Sequence, residues 1–433
     1  CVIVGAKGTG KTAILQYIEA NSEDSTIWKI DQRNPELSTY VTEIGEYPSE
    51  FDAIIKTMVF EKLLTIVKDN KEIYGKEGSE AIKELDSLFD NFMEHFQSFI
   101  KVFNGIGPVQ FDFDKIIKSK SKSKFTGFDF ERYTQLLRRC FSIKPVLILF
   151  DDIDDIFLGS KDSNYRVFIE GLIRAARTIN LDFDNKVHFL VFLKYGIYRS
   201  FYEKPSDYDK VKDYILEIHW NNDSLEEMIS RRIEDKVDIN DNLENWQKWR
   251  SVFSPKNKNK IKEIQEYLFD RCPSGPRDLI DFINRTIEKK KNLNINLEDI
   301  KSCEASFSED KIIAIHEDYG NTYPEIQNLL KRCFSSTDTR QINTNYAFTD
   351  FENYLFQIKT NKDITDTFNE YDYFIMSGTF DLFRILYTIG FIGYKINDNE
   401  SWTYVLDEPK GDHLRDSKYI QIHKAYWKAL SLS

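Results

Sequence analysis

Gly5-Ala6-Lys7-Gly8-Thr9-Gly10-Lys11-Thr12 has the residue types and spacing that hold a polyphosphate, a full G-x-x-x-x-G-K-S/T loop. Glycines let the backbone curl until successive N–H groups converge on an anion. A helix beginning behind the loop adds the positive end of its dipole. In this pattern Lys11 reaches the β- and γ-phosphates and Thr12 turns its hydroxyl to Mg²⁺, while Gly5, Lys7, Gly8, Thr9, Gly10 and Ala13 complete the cradle. The flanks agree with that chemistry. Cys1-Val2-Ile3-Val4 is an apolar run suited to a buried strand, and Ala13-Ile14-Leu15-Gln16-Tyr17-Ile18 suits a helix. The loop predicts binding of a nucleoside triphosphate with Mg²⁺.

A second set of groups complements the first. Pro145-Val146-Leu147-Ile148-Leu149-Phe150 runs into Asp151-Asp152, then Asp154-Asp155. A central parallel strand presents acids in this way at its carboxyl end, where open α/β sheets bind ligands. Asp151 is the expected Mg²⁺ partner, directly or through water. Asp152 is placed to polarise an attacking water, and Asp154 and Asp155 read as structural or capping groups. Val187-His188-Phe189-Leu190-Val191-Phe192-Leu193 is a further buried strand ending at Lys194. A polar residue there can contact the γ-phosphate or its water. Lys194 fits that role with Arg199 as a second candidate, and a lysine snorkelling from a strand end is the competing reading. Pro273-Ser274-Gly275-Pro276-Arg277-Asp278 places Pro276 at a first helical position and Arg277 in the first turn, against the helix dipole. An anion at Arg277 would offset that placement, and so would a surface salt bridge.

These groups need elements to position them. The chain of 433 residues is too long for one core, so two or three domains are expected. Residues 51–103 carry helical periodicity through Phe60, Leu63, Leu64 and Val67, then Leu85, Leu88, Phe89, Phe92, Met93 and Phe96. Lys118-Ser119-Lys120-Ser121-Lys122-Ser123-Lys124 has no apolar face and reads as a solvated loop. Phe128 to Phe141 reads as a helix feeding the Asp151 strand. Asp223-Ser224 reads as a cap opening a helical domain. Residues 312–334 read as a helix pair. Asp381 to Gly390 reads as a glycine-capped helix, and residues 391–396 and 401–406 alternate as a hairpin, with Ile420-Gln421-Ile422-His423 as a third strand. A helix followed by such a hairpin resembles a winged helix.

Composition narrows the classes. The net charge of −12 opposes a generally nucleic-acid-coating surface, and residues 381–433 balance Arg384, Lys395, Lys410 and Lys418 with Asp381, Asp398, Glu400 and Asp407. An internal packing or partner-docking role is therefore favoured over a DNA-binding wing, with DNA kept as the second partner class. The five scattered cysteines point to free thiols and a cytoplasmic location. No apolar stretch approaches the ~20 residues of a membrane helix. The chain opens inside its first strand without Met, so preceding sequence is expected to be missing.

Taken in order, the phosphate loop, Ile148 to Asp154, the strand ending at Lys194, the Leu225-x-x-Met228-Ile229-x-x-Arg232-Ile233 helix and Gly275-Pro276-Arg277 resemble bacterial ATPases. The resemblance is to the origin-recognition/STAND branch of the AAA+ superfamily, close to KAP-type proteins, over roughly residues 1–310. It implies an α/β chain: a parallel three-layer P-loop NTPase domain (AAA+/STAND-like) over 1–220 with a helical insertion at about 51–130. A helical lid over 221–310 follows, then a helical linker and C-terminal winged helix over 311–433. It implies ATP rather than GTP, since no Asn/Thr-Lys-x-Asp motif stands at a strand end. It also implies an ATPase acting as a switch, with Lys194 and Arg277 reporting the γ-phosphate, a homo-oligomer or partner protein, and service in anti-phage defence or stress signalling. The rivals are a DNA-binding initiator or repair-type ATPase and an interaction scaffold that binds ATP without hydrolysing it. Lys194 stands where relatives often carry arginine and Asp152 where vigorous motors carry glutamate, which favours slow hydrolysis. In STAND switches a histidine in a Met-His-Asp motif touches the β-phosphate of ADP. His423, flanked by Ile422 and Lys424 just before a helix expected over 425–430, is the candidate here. A histidine half-buried between that strand and helix is the competing and weightier reading.

Overall fold

The computed structural model describes residues 1–30, 48–76, 78–83, 130–151, 162–195, 198, 212–237, 239, 242–254, 257–273, 275–320, 322–368, 370–375, 378–405, 407–408 and 411–432. They form two compact units, one of residues 1–5 with 11–218, the other of residues 6–10 with 219–433.

The first unit is built on five parallel strands: β1 (Val2–Gly5), β2 (Thr26–Ile30), β3 (Val146–Phe150), β4 (Val187–Lys194) and β5 (Ile215–Glu217), in the order β2-β3-β4-β1-β5. All residues of β1 and β3 are buried, as expected of strands covered on both faces. Alternation divides their side chains between two layers. Val2, Val4, Val146, Ile148, Phe150, Phe189 and Val191 face one core with the helices α2 (Pro48–Asp69), α3 (Phe130–Ile143) and α4 (Asp162–Asp182). Ile3, Leu147, Leu149 and Phe192 face the other, with Ile14, Leu15 and Ile18 of α1 (Lys11–Ala20). The unit is a three-layer α/β arrangement. The buried side-chain amide of Asn180 is satisfied in both senses by Phe189: Phe189 N donates to Oδ1 at 2.6 Å, and Nδ2 donates to the Phe189 carbonyl at 3.2 Å.

Only part of the expected helical insertion falls on described residues. Phe60, Leu63, Leu64 and Val67 are core residues of α2, which agrees with their periodicity. Leu85, Leu88, Phe89, Phe92, Met93, Phe96 and the Lys118–Lys124 run lie outside the described residues, as do Asp152, Asp154, Asp155 and Arg199.

In the second unit, five helices surround one core: α5 (Asn222–Lys236), α6 (Asn245–Trp249), α7 (Lys258–Phe269), α8 (Pro276–Lys290) and α9 (Leu297–Tyr319). The cap of α5 is Asn221 rather than Asp223. Its side chain accepts from Ser224 N at 2.8 Å, while Ser224 Oγ accepts from Asn221 N at 2.9 Å. The expected division at 310/311 falls inside α9, which gives Ile300, Cys303 and Phe307 to this core and Ile312 and Ile315 to the next. One helix shared by two cores leaves no hinge at that point.

The second core lies under α10 (Ile326–Phe334), α11 (Phe348–Thr360), α12 (Lys362–Phe368), α13 (Asp372–Ile375), α14 (Thr379–Thr388) and an antiparallel sheet of β6 (Asn345–Ala347), β8 (Tyr419–Ile422) and β7 (Ile392–Lys395). The end of α14 reads as expected, with Gly390 just beyond it at φ 75°. The hairpin is present in part. Among the described residues of 401–405, Thr403 pairs antiparallel with Tyr394 through N–H···O bonds of 2.9 Å in each direction. The other edge of β7 carries β8 across four residues, the third strand expected at 420–423, with Ile420 and Ile422 buried. The helix expected over 425–430 is reduced to a 3-10 turn at Lys424–Tyr426.

Candidate functional site

Within the first unit, the strand order puts a topological switch point, the place where open α/β sheets bind ligands, at the carboxyl end of β1. The chain leaves β1 for the far strand β2, whereas after β4 it reaches β5 on the opposite side of β1. Lys194, the last residue of β4, is the register partner of Gly5, the last of β1. Lys194 therefore stands beside the start of the phosphate loop. Lys11 opens α1 and its Nζ donates to the Gly5 carbonyl at 2.8 Å. Asp151 follows β3, is buried, and its backbone N donates to the Ile30 carbonyl at 3.0 Å. Thr12 Oγ1 donates to Asp151 Oδ2 at 3.4 Å. The motif residues Gly5, Lys11, Thr12, Asp151 and Lys194 thus gather at one sheet edge.

Octahedral Mg²⁺ takes oxygens at 2.0–2.1 Å, which sets neighbouring ligands about 2.9 Å apart. Thr12 Oγ1 and Asp151 Oδ2 are within a small side-chain rotation of that spacing, so the pair fits such an ion. Among the described residues no cluster of three or more His, Cys, Asp and Glu could hold a metal. A cation here would depend on one hydroxyl, one carboxylate, water and phosphate oxygens.

Residues 6–10 of the loop belong to the second unit, which fixes their backbone. Gly8 and Gly10 take φ of 85° and 99°, in the region that favours glycine. Thr9 is buried and its Oγ1 donates to the Ala6 carbonyl at 2.8 Å. The indole Nε1 of Trp220 donates to the Thr9 carbonyl at 2.9 Å, and the backbone N of Arg277 donates to the Gly8 carbonyl at 3.4 Å. Lys7 Nζ is ion-paired with Asp318 of α9. A cleft of about 400 Å³ is bounded by Lys7, Arg277, Asp278, Asp318, Tyr319 and Tyr426. The expected first-turn position of Arg277 is observed, after Pro276 at the first helical position and Gly275 at φ 69°. Its side chain is exposed.

His423 has a different setting. Its imidazole is buried, Nδ1 accepts from Ala425 N at 3.1 Å, and the ring packs edge-on to Tyr404 at 4.3 Å. Burial, with Lys424 and Arg271 nearby, pushes its pKa down to about 3. The group is a neutral local cap, without the imidazolium that a phosphate contact would favour. Trp220 and Asp318 are the residues that sequence reasoning missed. Neither sits in a motif, and no local signal marks a side chain whose partner lies more than 200 positions away.

Residues 223–316 match the model of the FunZ-associated C-terminal helical domain. No curated protein matches the chain. Among solved structures the chain is similar to the Orc1 protein of Aeropyrum pernix in complex with DNA, at 13% identity and a TM-score of 0.34, over 100% of this chain and 86% of that one. That score is too low to bear on fold or function.

Proposed function

We propose that this chain is a Mg²⁺-dependent ATP-binding switch that hydrolyses ATP slowly and passes its nucleotide state from the phosphate loop to the helical second unit. The observation that carries this reading is the approach of Thr12 Oγ1 to Asp151 Oδ2 at 3.4 Å, beside a complete phosphate loop. Two carboxyl-edge elements distant in sequence meet where a phosphate-bound cation would need them. Mg²⁺ bound there would neutralise charge on the transferred phosphoryl group. Lys11 binds β- and γ-phosphate oxygens, Thr12 and Asp151 orient the metal, and Lys194 senses the γ-phosphate from its place beside Gly5. Asp152 is the proposed water-positioning group on its sequence position alone. Loop residues 8 and 9, bonded to Arg277 and Trp220, give the second unit its means of reading occupancy. Among the described residues no helix is long and apolar enough to cross a membrane.

The test is a thermal-shift titration with ATP–Mg²⁺. Wild type should gain on the order of 4 kcal/mol at ~1,000-fold saturation, and Lys11→Ala should gain nothing. ATP binding by Lys11→Ala at wild-type affinity would overturn the assignment. Turnover measured with and without duplex DNA, beside mass in ATP and ADP, separates the finer readings. DNA stimulation would favour an initiator-type ATPase over the switch.

A further inference from the structure

Lys7 is the only lysine of the loop besides Lys11, and in this structure its ammonium is held by a carboxylate. Asp318 is the last residue but one of the helix Leu297–Tyr319. A negative side chain at a helix C-terminus faces the negative end of the dipole and is disfavoured there. Pairing with Lys7 offsets that cost. Both side chains keep contact with water, at 36% and 23% exposure, so the pair is weak enough for a stronger anion to displace. A triphosphate at the loop is such an anion, because it carries several charges and multidentate oxygens.

We propose that Asp318 is a built-in competitor of the nucleotide for Lys7, holding the loop lysine until phosphate takes it and releasing the end of the helix when it does. This inference rests on the phosphate-loop reading above. Asp318 touches neither nucleotide nor metal. It acts through Lys7 and so is a positioning residue. The helix it terminates also supplies Ile312 and Ile315 to the core shared with the C-terminal sheet, so loss of the contact is felt where a partner could read it.

The experiment is a double-mutant cycle on ATP affinity at low ionic strength, using the full chain with Asp318→Asn, Lys7→Ala and both together. Asp318→Asn should tighten ATP binding about two- to fivefold, the range of a partly exposed ion pair, and should do nothing in the Lys7→Ala background. Asp318→Glu, which keeps the charge, should restore wild-type affinity and guards against a folding defect. Equal tightening in both backgrounds would mean a general field effect and would overturn the proposal, as would unchanged affinity in folded Asp318→Asn. If wild type binds no nucleotide, the phosphate-loop reading fails and this inference falls with it. If wild type and Asp318→Asn bind alike, only this inference falls.

Discussion

The indole N–H of Trp220 donates to the carbonyl of Thr9 at 2.9 Å. A peptide carbonyl held on one side turns the next amide N–H, that of Gly10, toward the other, because the two point oppositely across the planar unit. A donor on the outside of the loop therefore helps aim an N–H to its inside. The backbone N of Arg277 holds the Gly8 carbonyl in the same way, and the N–H of that peptide unit, on Thr9, donates to the Ala6 carbonyl at 3.4 Å.

Trp220→Phe keeps the aromatic body and removes only the donor. A neutral hydrogen bond contributes about 0.5–1.5 kcal/mol net, so ATP affinity should fall roughly two- to tenfold. Isothermal titration against wild type reads it. Unchanged affinity with an unchanged melting curve would mean that the indole bond does not orient the loop.

The helical core of the second unit contains a buried charge cluster. Arg271 Nε donates to Glu304 Oε1 at 2.6 Å, Tyr267 OH donates to Oε2 at 2.5 Å, and the guanidinium lies 3.6 Å from the Tyr267 ring centroid. Burial, then the bond to Glu304, pushes the Tyr267 pKa well up. Glu304→Ala would strand Arg271, whose side chain is 12% exposed, and should cost about 3–5 kcal/mol in denaturant unfolding. A loss below about 1 kcal/mol would show that water reaches and solvates the arginine.

Acid should expose the state of His423. Its folded pKa lies near 3, below the unfolded value near 6.5, so the unfolded chain binds the extra proton first as pH falls. Stability is unaffected above the unfolded pKa and declines as pH drops through 6.5 toward 3. By pH 5 the penalty is on the order of 2 kcal/mol. His423→Gln should flatten that part of the stability curve between pH 7 and 5. A variant with the same acid slope as wild type would place the titrating group elsewhere.

The sequence by itself determined the features that depend on neighbours along the chain. Glycine spacing and an apolar strand were enough to locate the loop, because backbone freedom at Gly8 and Gly10 and helix initiation at Lys11 are local properties. Burial on both faces was legible in the unbroken apolar run Val146–Phe150. The tertiary structure decided what depends on distant partners. Residues 401–406 alternate like a strand, yet among the described ones only Thr403 pairs with β7, whose other edge holds β8 across four residues, because the extent of strand pairing is set by how well side chains bury. His423 has the chemistry of a phosphate donor, but its charge is set by desolvation, which no local pattern records. Trp220 and Asp318 are ordinary residues until the fold sets them against Thr9 and Lys7, and hydrogen bonds and ion pairs form by proximity in space, to which sequence separation is blind.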